Sequence, residues 1–449
     1  MKLKKFAVLL LCAAVMLPLA ACVKKPGGSE NSSDTSSSES TTVTPTKDKD
    51  TSIVATDKSR KGPAVQDLMK GITKGKGVSK KPDSRFENAA ASFALDLFRD
   101  EYKSGRKTLV SPLSVFTALA MTQNGAEDRT LSEMQKTLGG LDRDVLNAYM
   151  NAYLAELTGK DSALKCANSI WVDSKLDVKR AFLQKNADFY SAQAYKADFT
   201  STRTVKEINS WVSKNTNGMI KKLADQFDPL TVMVLMNALC LEAEWDDPYT
   251  DNCVREGTFK NANGNLVKAE YMYSQETEYI ETENATGFVK YYKGGKFAFV
   301  ALLPNEGTSI DSYIASLTGK GFLGALNSRK NTQVNTQMPK FKCEYSNSLV
   351  NTLKKMGMGT AFDENKANFS SIADNSNGNI FIGEVIHKTF IEVAEKGTRA
   401  GAVTAVISEK SAAMPVEQPK EVRLTRPFVY AIIDTQTNLP LFIGAQTDI

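Results

Sequence analysis

Histidine is almost absent from this chain of 449 residues, and its cysteines are scattered. His387 is the single histidine, and none of the six cysteines forms a Cys-x-x-Cys pair. Because zinc sites are built from clustered cysteine and histidine, we expect no metal site. A catalytic triad needs a nucleophile beside a base and an orienting acid, and no Gly-x-Ser-x-Gly motif occurs. We therefore predict a protein that is not an enzyme, has no catalytic residues and takes no cofactor.

The N-terminal apolar run at residues 6–17 is too short to cross a membrane as a helix with ordinary flanks. It follows a lysine-rich start and precedes Leu19-Ala20-Ala21-Cys22. That arrangement is typical of a signal peptide, and its end resembles the lipobox of bacterial lipoproteins, in which the cysteine is lipidated. We predict a signal peptide at residues 1–21 and a lipid on Cys22. The protein would then be anchored to a membrane at the cell surface or another extracytoplasmic face.

Residues 22–82 contain few apolar side chains that could form a hydrophobic core. They are rich in Ser, Thr, Lys and Asp and then in Lys and Gly, so they predict a disordered linker. The formal charge of +5 includes three lysines of the signal peptide, which leaves +2 after its removal. This charge does not indicate a nucleic-acid partner. Residues 83–449 show no further linker or internal repeat, and we treat them as one domain.

This domain mixes helix and strand patterns, which indicates the α+β class. Residues 88–102 have apolar side chains at helical spacing, and Ser111-Pro112 is typical of a helix start. Residues 232–242 form a continuous apolar run that suits a central strand, and residues 384–394 also indicate a strand.

The stretch after Glu395 is unusual because residues 398–406 are almost all small and carry a single charge, Arg399. If these residues paired as a strand, the even-numbered side chains from Thr398 onward would share one uncharged face. Arg399 would point the other way. Such a segment is suited to enter a sheet, although the local pattern also fits a surface loop or an ordinary strand.

Several stretches, in this order along the chain, resemble the serpin family, and the match spans residues 85–449. They are residues 108–115, 167–172, 208–218, 234–249, 381–404 and 426–444. The resemblance implies an α+β serpin fold with three β-sheets, eight to nine helices and an exposed reactive-centre loop.

The resemblance also implies a function as a suicide substrate that traps serine proteases, with cysteine proteases as a second target class. The protease cleaves the loop, and the freed hinge enters the main sheet before the covalent acyl-enzyme can be hydrolysed. We expect a monomer whose partner is the target protease. A non-inhibitory surface binding protein on the same fold is the alternative. The implied hinge residues are Glu395, Gly397, Thr398, Ala400, Ala402 and Thr404.

Two further groups of residues match control points of the family. A polar cluster beneath the centre of the sheet is matched by Ser111, Ser114, Asn237 and His387. At the entrance for the loop, termed the breach, the match is to Trp245, Lys340 and Glu395. From the sequence alone, His387 also fits a core histidine satisfied by a neighbour, whereas a catalytic base lacks partners.

Counting from Glu395 as in the family places the scissile bond at Ser411-Ala412. A small residue before the cut suits elastase-like or subtilisin-like proteases. Lys410 is the alternative and would attract trypsin-like enzymes. The loop is longer than in a well-known mammalian inhibitor, so the register of the bond stays open.

Overall fold

The computed structural model describes residues 65–159, 162–228, 231–374, 379–398 and 418–449. Within these ranges the chain forms nine α-helices and three sheets, which confirms the predicted α+β class and agrees with the expected three sheets and eight to nine helices. The helices are α1 (Ser84–Glu101), α2 (Pro112–Thr122), α3 (Asp128–Thr137), α4 (Arg143–Leu157), α5 (Arg180–Tyr190), α6 (Thr202–Asn215), α7 (Ile310–Ser316), α8 (Gly319–Asn327) and α9 (Val350–Lys355).

The strands are numbered in chain order. They are β1 (Val65–Asp67), β2 (Thr108–Val110), β3 (Leu164–Asp173), β4 (Gln193–Ala197), β5 (Met233–Leu241), β6 (Ala243–Glu244), β7 (Val254–Lys260), β8 (Leu266–Glu281), β9 (Ala285–Tyr291), β10 (Phe297–Pro304), β11 (Lys330–Pro339), β12 (Phe341–Ser348), β13 (Ile386–Ala394), β14 (Gly397–Thr398), β15 (Lys420–Arg423), β16 (Phe428–Asp434) and β17 (Pro440–Gln446).

The largest sheet supplies much of the core. Its strand order is β15-β11-β8-β9-β10-β16-β17-β2, and β7 pairs with β8. Every residue of β10, β16 and β17 is buried, as expected for strands covered on both faces. These strands pack in one apolar cluster with α1, α2 and β13. The part of the chain that the structure describes contains no helix with the length and apolar character to cross a membrane.

Two four-stranded sheets, ordered β1-β4-β3-β5 and β12-β13-β14-β6, meet edge to edge. At one end an isolated parallel bridge joins Val234 of β5 to the residue Glu384, just before β13. At the other end β14 lies between β13 and β6. The two sheets therefore act as halves of one surface, with β5 and β13 as parallel strands along the seam.

The prediction of a disordered linker up to residue 82 is wrong for residues 65–82. Val65–Asp67 pairs with β4, and the chain then continues along α5, where Asp188 Oδ1 accepts a hydrogen bond of 2.6 Å from the Gly75 N–H. Arg180 and Gln184 of the same helix donate to the carbonyls of Gly71 and Thr73. The segment is held by polar side chains of α5 acting on its backbone, which its own composition does not reveal. Residues 1–64, including Cys22, lie outside the described residues.

Candidate functional site

The seam between β5 and β13 is where the sequence places the hinge. Val234 lies opposite Glu384 at one end of the seam. Ala243 of β6 is as far along the chain from Val234 as Val393 of β13 is from Glu384, and these two residues lie on either side of Thr398. The two sides of the seam therefore stay in the same register along its length. At the end near Ala243 and Val393, however, β14 lies between them.

Gly397 and Thr398 form that third strand, antiparallel to both neighbours. Gly397 has φ +150°, and a Cβ at this position would lie 2.1 Å from the Ala243 carbonyl oxygen. Only glycine fits so close to another backbone. Thr398 is 3 % exposed, and its Oγ1 lies 2.5 Å from the Tyr292 hydroxyl. The first even-numbered residue of the hinge is therefore already inside the protein.

Two tryptophan hydrogen bonds hold the turn that precedes β14. The Trp245 indole N–H donates to the Ala394 carbonyl, and its backbone N–H donates to the Lys396 carbonyl, both at 2.9 Å. The Tyr249 backbone N–H donates to the Glu395 carbonyl at 2.9 Å. Trp245 also stacks on Tyr292, with ring centroids 4.4 Å apart and planes inclined by 12°. We call Trp245, Tyr249 and Tyr292 the hinge seat.

Beside the seat, Lys340 forms ion pairs with two carboxylates. Its Nζ lies 2.7 Å from Glu395 Oε1 and 3.0 Å from Glu270 Oε2. Partial burial lowers the pKa of Lys340, but the hydrogen bonds that it donates to Glu395 and Glu270 outweigh this effect and raise the pKa above its ordinary value. Partial burial likewise raises the pKa of Glu395, and the Lys340 hydrogen bond outweighs it and lowers that pKa. The structure thus brings Trp245, Lys340 and Glu395 together; we call Lys340 and Glu395 the entrance pair.

Farther down the seam, Ser111, Ser114 and His387 meet beneath the sheet, and we call them the central cluster. Ser111 is the N-cap of α2, whose eleven residues are all buried, so the serine is carried into the core. Its backbone N–H donates to His387 Nε2 at 3.1 Å, and its hydroxyl donates to the Leu441 carbonyl at 2.9 Å. The Ser114 N–H donates to the Ser111 hydroxyl at 3.4 Å.

His387 is 4 % exposed, and burial lowers its pKa to about 4. The imidazole is therefore neutral at pH 7, with Nε2 as the acceptor and its proton on Nδ1. The central cluster is a neutral hydrogen-bonded group. Asn237, which the sequence assigns to it, lies in β5 opposite Asn168, and its side chain is outside the described residues.

Several predicted residues lie outside the described part of the chain. They are the hinge residues Ala400, Ala402 and Thr404 and the candidate residues of the cleaved bond, Lys410, Ser411 and Ala412. Among the described residues, no group of three or more His, Cys, Asp or Glu side chains is arranged to hold a metal ion. None of the four cysteines in those residues, which the sequence could not assign to disulfides, is part of a disulfide.

Four residues of the site were not predicted from the sequence: Tyr249, Tyr292 and a buried pair beneath them, Lys290 and Glu276. A signal for Lys290 was present, because it shares a strand face with Phe288 and Tyr292, two residues away on either side. Both neighbours are buried, and a lysine between them at this spacing indicates a buried charge.

Comparisons with known proteins agree with this architecture. The family model for Serpin (serine protease inhibitor) matches residues 88–449. A serpin-like protein of Thermococcus kodakarensis, TK1782, is 32 % identical over 80 % of this chain and 84 % of its own length. Human Serpin B8 is 30 % identical over 79 % of this chain and 97 % of its own.

Solved structures give the same result. The thermophilic serpin tengpin in its native state is 42 % identical, with a TM-score of 0.82 over 86 % of this chain and 100 % of its own. In its latent state the same protein gives a TM-score of 0.73 over 83 % of this chain and 100 % of its own, at 40 % identity. The family match, the relatives and the split sheet with its seated hinge together show that the chain belongs to the serpin family, whose members are generally protease inhibitors.

Proposed function

We propose that this protein inhibits serine proteases by inserting its cleaved reactive loop into the seam between β5 and β13. The observation that carries the proposal is the position of Thr398, buried between Val393 and Ala243 and paired with both. Gly397 and Thr398 pair with β13 on one side and β6 on the other, which supports insertion at this point. The rest of β5 and β13 keeps the register that a longer inserted strand would require.

The period of a β-strand supports further insertion. Residues on the Thr398 face are small and uncharged, and they would meet core-facing residues of both neighbours. If an inserted strand continued this register, Ala400 would lie between Leu241 and Ile391, Ala402 between Leu239 and Thr389, and Thr404 between Asn237 and His387. An inserted strand would gain backbone hydrogen bonds on both edges, each worth about 0.5–1.5 kcal/mol net. The central cluster would lie beside the point that Thr404 reaches.

In the proposed reaction, the protease serine attacks the carbonyl carbon of Ser411. The bond to the Ala412 nitrogen breaks, and the new amine leaves with a proton from the protease histidine. An ester then joins Ser411 to the enzyme. Insertion carries this acyl-enzyme away before water can hydrolyse the ester. The small Ser411 side chain favours elastase-like or subtilisin-like targets, whereas cleavage after Lys410 would favour trypsin-like ones.

The test mixes the protein with an elastase-like and a trypsin-like protease. We expect a complex that survives boiling in detergent, together with a released C-terminal peptide whose mass corresponds to a chain that begins at Ala412. A peptide that begins at Ser411 would instead show cleavage after Lys410. If each protease turns the protein over and forms no stable complex, the chain is not an inhibitor, and the non-inhibitory binding function is favoured.

We also propose that the protein is anchored through a lipid on Cys22, on the strength of the Leu19-Ala20-Ala21-Cys22 sequence after an apolar run. In a bacterial host, the full chain should incorporate a labelled fatty acid and fractionate with membranes. A Cys22→Ala variant should lose both properties. Fatty-acid labelling that persists in Cys22→Ala would contradict the assignment.

A further inference from the structure

A charged lysine lies buried beneath the hinge seat. The Lys290 side chain is 2 % exposed and that of its partner Glu276 is 12 % exposed, with Nζ and Oε1 2.8 Å apart. Taking both charges out of water is costly, and apolar residues of similar size often stabilise a fold equally well. Stability alone is therefore a weak explanation for this pair.

The lysine ammonium faces two members of the seat. It lies 4.5 Å from the ring centroid of Tyr249 and 5.7 Å from that of Trp245, within the range of cation–π attraction. These residues hold the turn before β14 through the carbonyls of Glu395 and Ala394. One charge thus attracts both rings whose residues grip the hinge.

Glu276 fixes that charge from the other side. Its Oε1 also lies 2.6 Å from the Ser274 hydroxyl oxygen, which is 3.2 Å from the Tyr249 hydroxyl and 2.9 Å from Thr336 Oγ1. The carboxylate is therefore held by the Ser274 hydroxyl as well as by the lysine, and Ser274 in turn contacts Thr336 of β11. Because its carboxylate partner is itself fixed, the Lys290 ammonium is held in one position.

We propose that Lys290 is a positioning residue for loop insertion: its charge sets the geometry of Trp245 and Tyr249, so that the hinge seat is ready before the loop is cut. The inference rests on the proposed function, since a seat matters most when a strand must enter quickly. Without the charge, the rings have more freedom, and the start of insertion takes longer. Delay gives water time to release the protease.

The test variant is Lys290→Met with Glu276→Leu, which removes the pair without leaving one buried charge alone. Lys290→Arg keeps a cation and should rescue. A matched control is Arg329→Met with Glu278→Leu. The Glu278 carboxylate also lies on β8 and is 2.7 Å from Arg329, and both side chains are about one-fifth exposed, but Arg329 binds the end of α8. All proteins carry Trp171→Phe and Trp211→Phe, so that fluorescence reports Trp245 alone.

Two measurements decide. In the uncut protein, amide hydrogen exchange of residues 395–398 should be faster in the Lys290 variant only. After protease addition, insertion followed by Trp245 fluorescence should be about threefold to thirtyfold slower, the range that cation–π contacts are worth. More inhibitor should then be consumed per protease, and Lys290→Arg should behave like the parent.

Unchanged exchange at residues 395–398 overturns the positioning role, and so does an equal slowing in the Arg329 control. A parent protein that forms no complex and does not insert its loop refutes the proposed function instead. In that case the exchange of the uncut protein still decides whether Lys290 orders the seat.

Discussion

Two polar groups flank the seam, and they are built on opposite electrostatic principles. The entrance pair is charged and partly open to water, with the Lys340 side chain 22 % and the Glu395 side chain 33 % exposed. The central cluster is buried and neutral, because burial holds the pKa of His387 near 4. Charges near solvent exchange partners at low cost, whereas a buried charge without a partner is expensive. In the proposed insertion, opening would therefore cost little free energy at the entrance and would require uncharged groups farther along the seam.

The largest expected effect comes from putting a charge where the seam is closed to water. Thr398→Arg must bury a guanidinium beside Tyr292, at a cost of several kcal/mol, so insertion should slow by roughly a hundredfold or more. The variant should become a substrate, measured as the number of inhibitor molecules cleaved per protease trapped. Arg399→Glu is the matched control, since the next residue faces outward in an inserted strand. Equal effects of the two changes would contradict the period-two assignment.

The next effect is the response of the central cluster to acid. His387 has its pKa lowered from 6.5 to about 4, so the unfolded chain binds its proton more readily than the folded one. Stability from this residue is complete above about pH 6.5 and is lost as pH falls toward 4, to a total of about 3 kcal/mol. The measurement is the urea midpoint at pH 7, 5 and 4.

A His387→Gln variant should lack this part of the pH dependence. The entrance pair titrates in a different window, because the lowered pKa of Glu395 keeps its contribution until pH falls below about 4.5. Acid between pH 6.5 and 5 should thus loosen the centre and leave the entrance intact. An identical pH profile in His387→Gln would show that another group causes the loss.

Removing the imidazole at neutral pH should have a slightly smaller effect. His387→Ala leaves the buried Ser111 N–H without its acceptor, which costs about 1–3 kcal/mol. Lys388→Met is the control, because the adjacent residue points outward and pairs with the exposed Glu344. Its cost should stay below about 1 kcal/mol. Both are measured by urea unfolding at pH 7, and a smaller loss for His387→Ala than for Lys388→Met would contradict the structural role of the cluster.

The sequence predicted some parts of the molecule and missed others, for physical reasons. The strands beside the seam follow from apolar runs at residues 232–242 and 384–394, which the structure has as Met233–Leu241 and Ile386–Ala394. The order of motifs predicted the fold. It also named Trp245, Lys340 and Glu395 and, in the central cluster, Ser111, Ser114 and His387, which lie together in the structure. The order of segment 65–82 was not predicted, because it depends on side chains of α5 that bind the backbone of the segment. Lys290 escaped because a lysine is normally expected at the surface.

The smallest expected effect on stability is at the entrance pair. A variant there distinguishes an effect on the rate of loop insertion from an effect on the free energy of unfolding. Lys340→Met should cost about 0–1 kcal/mol, since an ion pair this exposed is screened by water and salt. Glu395 would then lose its attachment to β11 and β12 without any change in the seat. Raising the salt concentration from 0.05 to about 1 M shortens the screening length to roughly 3 Å and should lower the stability of the parent protein to that of the variant.

The measurement is the urea midpoint and the insertion rate of both proteins at the two salt concentrations. If Lys340→Met destabilised the protein as much as His387→Ala, the entrance would be as tightly coupled as the centre, and the contrast between an open charged entrance and a closed neutral centre would be wrong.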